Sequence, residues 1–169
     1  MLFEKKYKKV VVINIGKLVT GDIRQSDFSA DCIRIEDGVI HQVGRKDEVD
    51  TSDVERTIDV DGMVIVPGLI DSHVHPVLGD WTPRQKTMGW IEGSLHGGIT
   101  TMVSQGEFLL QGRPHDVTGI KALAILAKKT YERMSERIGV RVHAGSVILE
   151  EGLREEDFKA VSYTHLTLP

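Results

Sequence analysis

The sequence holds a single cysteine, Cys32, so it cannot form an internal disulfide. It also lacks an export signal, and its apolar run VVVI at residues 10–13 is too short to cross a membrane. We therefore expect a cytoplasmic protein with no membrane contact. A large excess of either charge is missing too, because 25 acidic residues against 21 basic ones give a net charge of only −4. This balance argues against a nucleic-acid partner.

Low-complexity segments and internal repeats are absent, and the chain instead changes its pattern near residue 63. Before that point we predict short strands separated by turns, at residues 10–15, 17–20, 32–36, 39–43 and 56–60. Asp37-Gly38 predicts a tight hairpin, since glycine accepts a positive φ. We interpret this part as a small antiparallel β unit. The alternative is an independent β domain, which so few strands rarely form alone.

From residue 63 onward the pattern is strand, loop and helix. Apolar residues at helical spacing predict one helix that ends at Gly97-Gly98 and a second over residues 120–138. Strands are predicted over residues 99–104 and 140–143. Strands that alternate with helices favour a parallel sheet, so we expect an α/β fold.

Two histidines close the apolar segment VIVPGLIDSHVHP, residues 64–76. The run reads as a buried strand, in which residues two apart share a face. We therefore expect His73 and His75 to present two imidazoles on one side, with Asp71 on the same face. Neutral imidazole is a common metal ligand, and a nearby carboxylate can orient it. The alternative is a pair of packing or surface histidines.

Asp-x-His-x-His after Val-Pro-Gly-Leu-Ile resembles the first barrel strand of the amidohydrolase superfamily. The resemblance implies a metal-dependent hydrolase on a (β/α)₈ TIM barrel, with a β-sandwich built from segments that flank the barrel. It also implies a binuclear zinc or iron site whose remaining ligands and catalytic aspartate come from later strands. None of those later positions lies in this chain, so no catalytic residue is assigned within it.

Further segments resemble the enamidases of bacterial nicotinate fermentation. They include PRQKTM at residues 83–88, SLHGGITTM at 94–102 and GRPHD at 112–116. The resemblance implies hydrolysis of a cyclic amide or enamide C–N bond, which converts tetrahydro-6-oxonicotinate to 2-formylglutarate and ammonia. Two alternatives stay open. One is another cyclic amidase of the dihydroorotase or hydantoinase type, and the other is a non-catalytic scaffold with the same fold.

The same resemblance gives three provisional segments. Residues 1–62 are expected to be the N-terminal part of the composite β-sandwich, and residues 63–160 the first three β/α units of the barrel. An intact barrel needs about 250 residues, so we expect an N-terminal fragment that is inactive alone. Residues 161–169 resemble the translation of a transposon-end sequencing adapter. We expect them to be a non-native tail that packs against nothing specific.

Candidate substrate contacts follow from the same picture. Arg84 and Arg113 are predicted to bind a substrate carboxylate, because a guanidinium group can donate two parallel hydrogen bonds to it. The alternative for each is an arginine that braces a loop. His143 ends the third strand and is a weaker candidate for the same site. The alternative is a histidine that packs in the fold or orients another ligand. The expected partners are a small cyclic amide and, for the full-length protein, further copies of itself.

Overall fold

The computed structural model describes residues 7–24, 27–77, 87–108 and 112–165. The chain divides into two compact units, Met1–Pro67 and Gly68–Pro169. The division falls five residues after the change of pattern that we identified in the sequence. Within the described part of the chain, no helix is both long and apolar enough to span a membrane.

The described part of the first unit is built from strands alone. In chain order they are β1 (Lys9–Ile13), β2 (Lys17–Val19), β3 (Asp27–Phe28), β4 (Cys32–Glu36), β5 (Val39–Gly44), β6 (Arg56–Asp59) and β7 (Val64–Ile65). They form one sheet in the order β5-β4-β1-β6 and a second in the order β3-β2-β7. The five predicted strands are confirmed to within two residues at their ends. The two-residue strands β3 and β7 carry too little pattern to be recognised in the sequence.

The predicted hairpin joins β4 to β5. Asp37 and Gly38 both have positive φ, 48° and 82°, and the two strands pair antiparallel. The prediction of a wholly antiparallel unit is wrong, however, because β1 pairs parallel with β6 and β2 pairs parallel with β7. The chain between β5 and β6 crosses back to the far edge of the sheet, and the hydrophobic pattern of single strands does not reveal such a crossover.

Arg34 is a buried charged residue in this unit, with 4% of its surface exposed. Its guanidinium donates to Glu36 at 2.7 Å, to Asp53 at 2.6 Å and to the backbone carbonyl of Asp50 at 2.5 Å. Lys9 also contacts Asp53. Lys9 and Arg34 together lower the pKa of the Asp53 carboxyl to about 2. These bonds satisfy the charge that burial would otherwise penalise.

Cys32 lies in the interior of this unit. The side chain is fully buried and packs with Val11 and Val49. Burial raises the pKa of its thiol, which keeps the sulfur in the unreactive neutral form.

The second unit alternates strands with helices. Its elements are β8 (Leu69–Val74), α1 (Thr87–His96), β9 (Ile99–Ser104), α2 (Val117–Ile138), β10 (Arg141–His143) and α3 (Glu155–His165). The strands form a parallel sheet in the order β10-β9-β8, as the alternating pattern predicts. The mixed α/β fold is therefore confirmed.

The ends of α2 follow from its capping residues. Asp116 accepts a hydrogen bond from the Gly119 backbone N–H at 2.9 Å, which satisfies a free donor of the first turn. Gly139 ends the helix with φ 75°, a left-handed conformation that favours glycine. Between these caps α2 is 22 residues long, and β10 begins shortly after its end.

One apolar core joins the three strands of this sheet to the helices. Each strand contributes a buried side chain to it: Val74, Met102 and Val142. Ile91 and Tyr131 come from the helices, and both are fully buried. A buried side chain of this size contributes about 1.5–3 kcal/mol, so this core fixes which sheet face lies against the helices.

The apolar run before the histidines does not form one buried strand, and that prediction is wrong. Val64 and Ile65 form β7 of the first unit, and β8 begins only at Leu69. Leu69 and Ile70 are 58% and 67% exposed. Pro67 cannot donate a ladder hydrogen bond, so the run breaks there.

Residues 161–165 form regular structure that the sequence does not predict. Helix α3 runs on to His165, and Val161 is only 2% exposed. The expectation that the tail packs against nothing specific is therefore wrong for Val161. A helical register started at residue 155 carries that apolar side chain inward whatever the origin of the segment.

Candidate metal centre

The two motif histidines lie together at the carboxyl end of β8. Their ring centroids are 5.2 Å apart and the ring planes meet at 72°. Both residues are exposed, whereas Val74 between them is buried in the core beneath the helices. The two imidazoles therefore occupy the sheet face opposite that core.

Asp71 relates to the histidines in a way that simple alternation does not anticipate. Asp71 lies in register with Met102, and Val74 with Ser104. Between these two pairs, three steps along β8 match two along β9, so β8 carries one extra residue there, and the opposite shift occurs earlier, between Leu69 and Ile70. Because of the shift between Asp71 and Val74, the alternation of side chains between the two faces of β8 does not place Asp71 and His75 on the same face by counting alone. The Asp71 carboxylate accepts a hydrogen bond from the backbone N–H of His73 at 3.1 Å, which supports the bent backbone at this irregularity.

His75 is oriented by the loop after β9. Its Nδ1 atom lies 3.2 Å from the carbonyl oxygen of Gly106. A carbonyl can only accept, so Nδ1 carries the hydrogen and the neutral ring has an unprotonated Nε2. This tautomer leaves Nε2 free to bind a metal ion, and a carbonyl is a common partner for the other nitrogen of a ligating histidine.

The loops after β9 and β10 are tied together beside this contact. The Gly106 N–H donates to the Ser104 hydroxyl at 3.2 Å, and the Ser146 hydroxyl donates to the Ser104 carbonyl at 2.9 Å. Glu107 accepts a hydrogen bond from the Gly145 N–H through Oε1 at 2.9 Å. Three consecutive strand ends are therefore linked, since His75 joins the same loop from β8.

The chain that follows His75 is held by the helix layer. The Val77 carbonyl accepts hydrogen bonds from the Tyr131 hydroxyl at 3.0 Å and from the Thr87 hydroxyl at 2.9 Å. Burial, reinforced by the charge of Glu107, raises the pKa of Tyr131, so its phenol stays a donor. The end of β8 is thus fixed on both sides of the histidine pair.

Arg113 has a carboxylate partner within the protein. Its guanidinium donates to Glu150 at 2.5 Å, and His115 Nδ1 lies 3.0 Å from the same oxygen. The two contacts hold the pKa of the Glu150 carboxyl below its usual range, Arg113 having the larger effect. The arrangement corresponds to the alternative in which Arg113 braces a loop, here by joining the segments after β9 and β10.

Of the other two candidate substrate contacts, only His143 lies within the described residues. Arg84 is outside the described residues. His143 is exposed at the end of β10 and lines an open groove of about 910 Å³ whose described walls come from β9, α2 and β10. The histidine pair belongs instead to β8 and the residue that follows it.

The donor set fits part of a metal shell. Two imidazoles with a ring separation of 5.2 Å and one oriented nitrogen supply up to two ligands. Among residues 7–24, 27–77, 87–108 and 112–165, no group of three His, Cys, Asp or Glu side chains is placed to hold an ion. A four-coordinate zinc site therefore needs donors beyond this group.

Sequence reasoning singled out the two histidines as candidates and missed the group that orients His75. The acceptor for His75 is a backbone carbonyl, which carries no side-chain signal. Glu107 carries no sequence pattern that predicts its contact with Gly145, and it could not be distinguished from any other polar loop residue. The pairing of Glu150 with Arg113 spans 37 residues and no local pattern encodes it.

The chain is similar to characterised hydrolases along most of its length. No protein-family model matches it. It is 48% identical to enamidase from Eubacterium barkeri over 150 residues, which is 89% of this chain and 39% of that enzyme. A crystal structure of enamidase, described as a member of the amidohydrolase superfamily, superposes with a TM-score of 0.80 at 46% identity. The match covers 92% of this chain and 40% of that one. This chain belongs to the amidohydrolase superfamily.

Other superfamily members are similar at lower identity. A dihydroorotase from Enterococcus faecalis is 30% identical over 91 residues, or 54% of this chain and 20% of that enzyme. The chain thus spans about two fifths of the length of enamidase and less of the other amidohydrolase.

Proposed function

We propose that this chain is part of an enamidase-like amidohydrolase that cleaves a cyclic amide or enamide C–N bond. The observation that carries the proposal is the pair His73 and His75 at a strand end, with His75 Nδ1 held by the Gly106 carbonyl. The 48% identity to enamidase supports the substrate class. The superfamily is metal-dependent, and the histidine pair is our candidate for two of the ligands.

His73 and His75 would hold one divalent ion through their free ring nitrogens. When bound, such an ion lowers the pKa of water and polarises a carbonyl. The Gly106 carbonyl keeps His75 in the required tautomer. Asp71 supports the β8 backbone at His73. We propose a binuclear zinc or iron site completed by residues that this chain does not supply.

The proposed reaction consumes two water molecules. The first cleaves the amide C–N bond of tetrahydro-6-oxonicotinate, which gives a carboxylate and leaves the nitrogen as an enamine. The second cleaves the remaining C–N bond after tautomerisation to the imine, which releases ammonia and leaves the aldehyde of 2-formylglutarate. A substrate carboxylate needs a cationic partner, and Arg84 is our candidate for it, because Arg113 is already paired with Glu150. His143 is retained as a second, weaker candidate.

The architecture is proposed with the function. We infer that the parallel sheet β10-β9-β8 with its helices is the start of a (β/α)₈ barrel, and that the first unit is part of a β-sandwich. The proposed protein acts in the cytoplasm on a small molecule and assembles from several copies. Residues 161–169 remain our candidate for a non-native tail.

A second candidate is another cyclic amidase, which the similarity to dihydroorotase favours. The full-length natural protein should be assayed with tetrahydro-6-oxonicotinate, dihydroorotate and a hydantoin. The proposal predicts ammonia release from the first compound and little turnover of the others. Turnover of dihydroorotate or hydantoin alone would select the second candidate. Metal binding without turnover of any cyclic amide would favour the non-catalytic scaffold.

A further inference from the structure

Glu107 is a buried carboxylate in the loop after β9, with 2% of its surface exposed. Burying a carboxylate is unfavourable unless hydrogen bonds compensate it. Oε1 accepts from the Gly145 N–H at 2.9 Å, whereas Oε2 has no hydrogen-bond partner among the described residues. A buried polar atom left in this state calls for an explanation.

The backbone position of Glu107 connects it to the histidine pair. The carbonyl that accepts from His75 belongs to the peptide bond between Gly106 and Glu107. A peptide bond is planar, so the orientation of the Glu107 nitrogen fixes the direction of that carbonyl. Anchoring the Glu107 side chain on Gly145 therefore restrains the acceptor for the imidazole.

The amino end of Gly106 is restrained as well. Gly106 has φ 147°, a conformation that side chains disfavour, and its N–H donates to the Ser104 hydroxyl at 3.2 Å. The carbonyl thus sits between two anchors, Ser104 on one side and Glu107 on the other. Removing the second anchor frees a flexible glycine peptide to rotate.

We propose that Glu107 is a positioning residue for His75: its bond to Gly145 holds the Gly106 carbonyl where it fixes the imidazole tautomer. The proposal rests on the proposed function, because a metal-binding His75 is what this positioning serves. It assigns to this carboxylate a role that acts through the backbone carbonyl of Gly106.

The first measurement is the tautomer of His75 in the metal-free full-length protein, by ¹⁵N NMR of labelled histidines assigned with His75→Gln. The wild-type protein should show hydrogen on Nδ1. Glu107→Ala should shift His75 toward a mixture that includes the Nε2–H form. Glu107→Gln keeps an oxygen for Gly145 and should restore the wild-type tautomer.

The second measurement is zinc affinity by competition with a chelator. Glu107→Ala should weaken zinc binding by about 10- to 100-fold, the usual effect of losing a group that orients a ligand. Glu107→Gln should stay within about threefold of wild type by the same argument. The control is Glu92→Ala, an exposed carboxylate on α1, which should change neither quantity. If Glu107→Ala does not fold, Glu107→Asp replaces it, because its shorter side chain cannot reach Gly145 in the same geometry.

Three results would overturn the inference. They are an Nε2–H tautomer in the wild-type protein, an unchanged tautomer and zinc affinity in Glu107→Ala or Glu107→Asp, or equal damage from Glu107→Gln and Glu107→Ala. A wild-type protein that binds no zinc but shows the Nδ1–H tautomer, lost in Glu107→Ala, would refute the proposed function while leaving the positioning role intact.

Discussion

The Nδ1 atom of His75 lies 3.2 Å from the carbonyl oxygen of Gly106, so the ends of two neighbouring parallel strands are joined by an imidazole. The contact favours the tautomer that carries hydrogen on Nδ1 and leaves Nε2 unprotonated. A backbone carbonyl is a common partner for the second nitrogen of a ligating histidine, and this contact is why we propose His75 as a ligand.

The start of β8 depends on the absence of a side chain at Gly68. A Cβ atom there would lie 2.1 Å from the Thr100 hydroxyl oxygen and 2.3 Å from its methyl group. We expect Gly68→Ala to lower the free energy of unfolding by about 1–3 kcal/mol, since overpacking forces the backbone apart. Urea denaturation measures the change.

Gly93→Ala is the matched control for that substitution. A Cβ atom at Gly93 meets nothing within 4 Å, and the residue lies inside α1. This variant should be neutral or more stable by up to about 1 kcal/mol, because alanine favours the helix. Equal destabilisation by the two alanines would contradict the proposed contact with Thr100.

Tyr131 should support the chain after the histidines through one hydroxyl. Tyr131→Phe keeps the buried ring and removes the donor to the Val77 carbonyl. Thr87 still donates to that carbonyl, so we expect a loss of only about 1 kcal/mol. Thermal unfolding of the full-length protein measures this loss.

A double-mutant cycle tests whether the two hydroxyls act on the same carbonyl. Tyr131→Phe combined with Thr87→Val leaves the Val77 carbonyl without either donor. The loss in the double mutant should exceed the sum of the single losses. Strict additivity would mean that the two hydroxyls do not share this acceptor.

The contact of Glu150 with Arg113 and His115, which joins the segments after β9 and β10, should be sensitive to acid. Its folded pKa is lowered, so its stabilising contribution is complete above the unfolded value, near 4.3, and is lost as the pH falls through the folded value. The stability difference between wild type and Glu150→Gln should therefore be largest near neutral pH and shrink as the pH falls below about 4. Urea midpoints across this range measure it.

The neighbouring Glu151 provides the control for the acid effect. It is exposed, and Glu151→Gln should leave the pH dependence of stability unchanged. A difference between wild type and Glu150→Gln that stayed constant from pH 7 to pH 3 would show that the pairing with Arg113 and His115 does not stabilise the fold.

Periodicity and turn chemistry predicted most of the elements, because those signals are local. The Asp37-Gly38 hairpin and the strand Ile99–Ser104 are examples, confirmed where the sequence predicted them. The extra residue in β8 was not predictable, since it depends on how Asp71 and Val74 pair with a different strand. Glu107 was missed for the same reason, because its partner Gly145 lies 38 residues away. Contacts of long sequence separation decide the details of this site.

Metal content tests most directly whether His73 and His75 hold a divalent metal ion. The full-length natural protein, His73→Ala, His75→Ala and the control His96→Ala should be purified side by side, loaded with zinc or ferrous iron, and measured by elemental analysis. His96 is exposed at the end of α1, away from the β8 motif in sequence. We predict one or two ions per chain in the wild type and in His96→Ala. His73→Ala and His75→Ala should lose most bound metal and cyclic-amide hydrolysis. Wild-type metal content and turnover in His75→Ala would contradict this prediction.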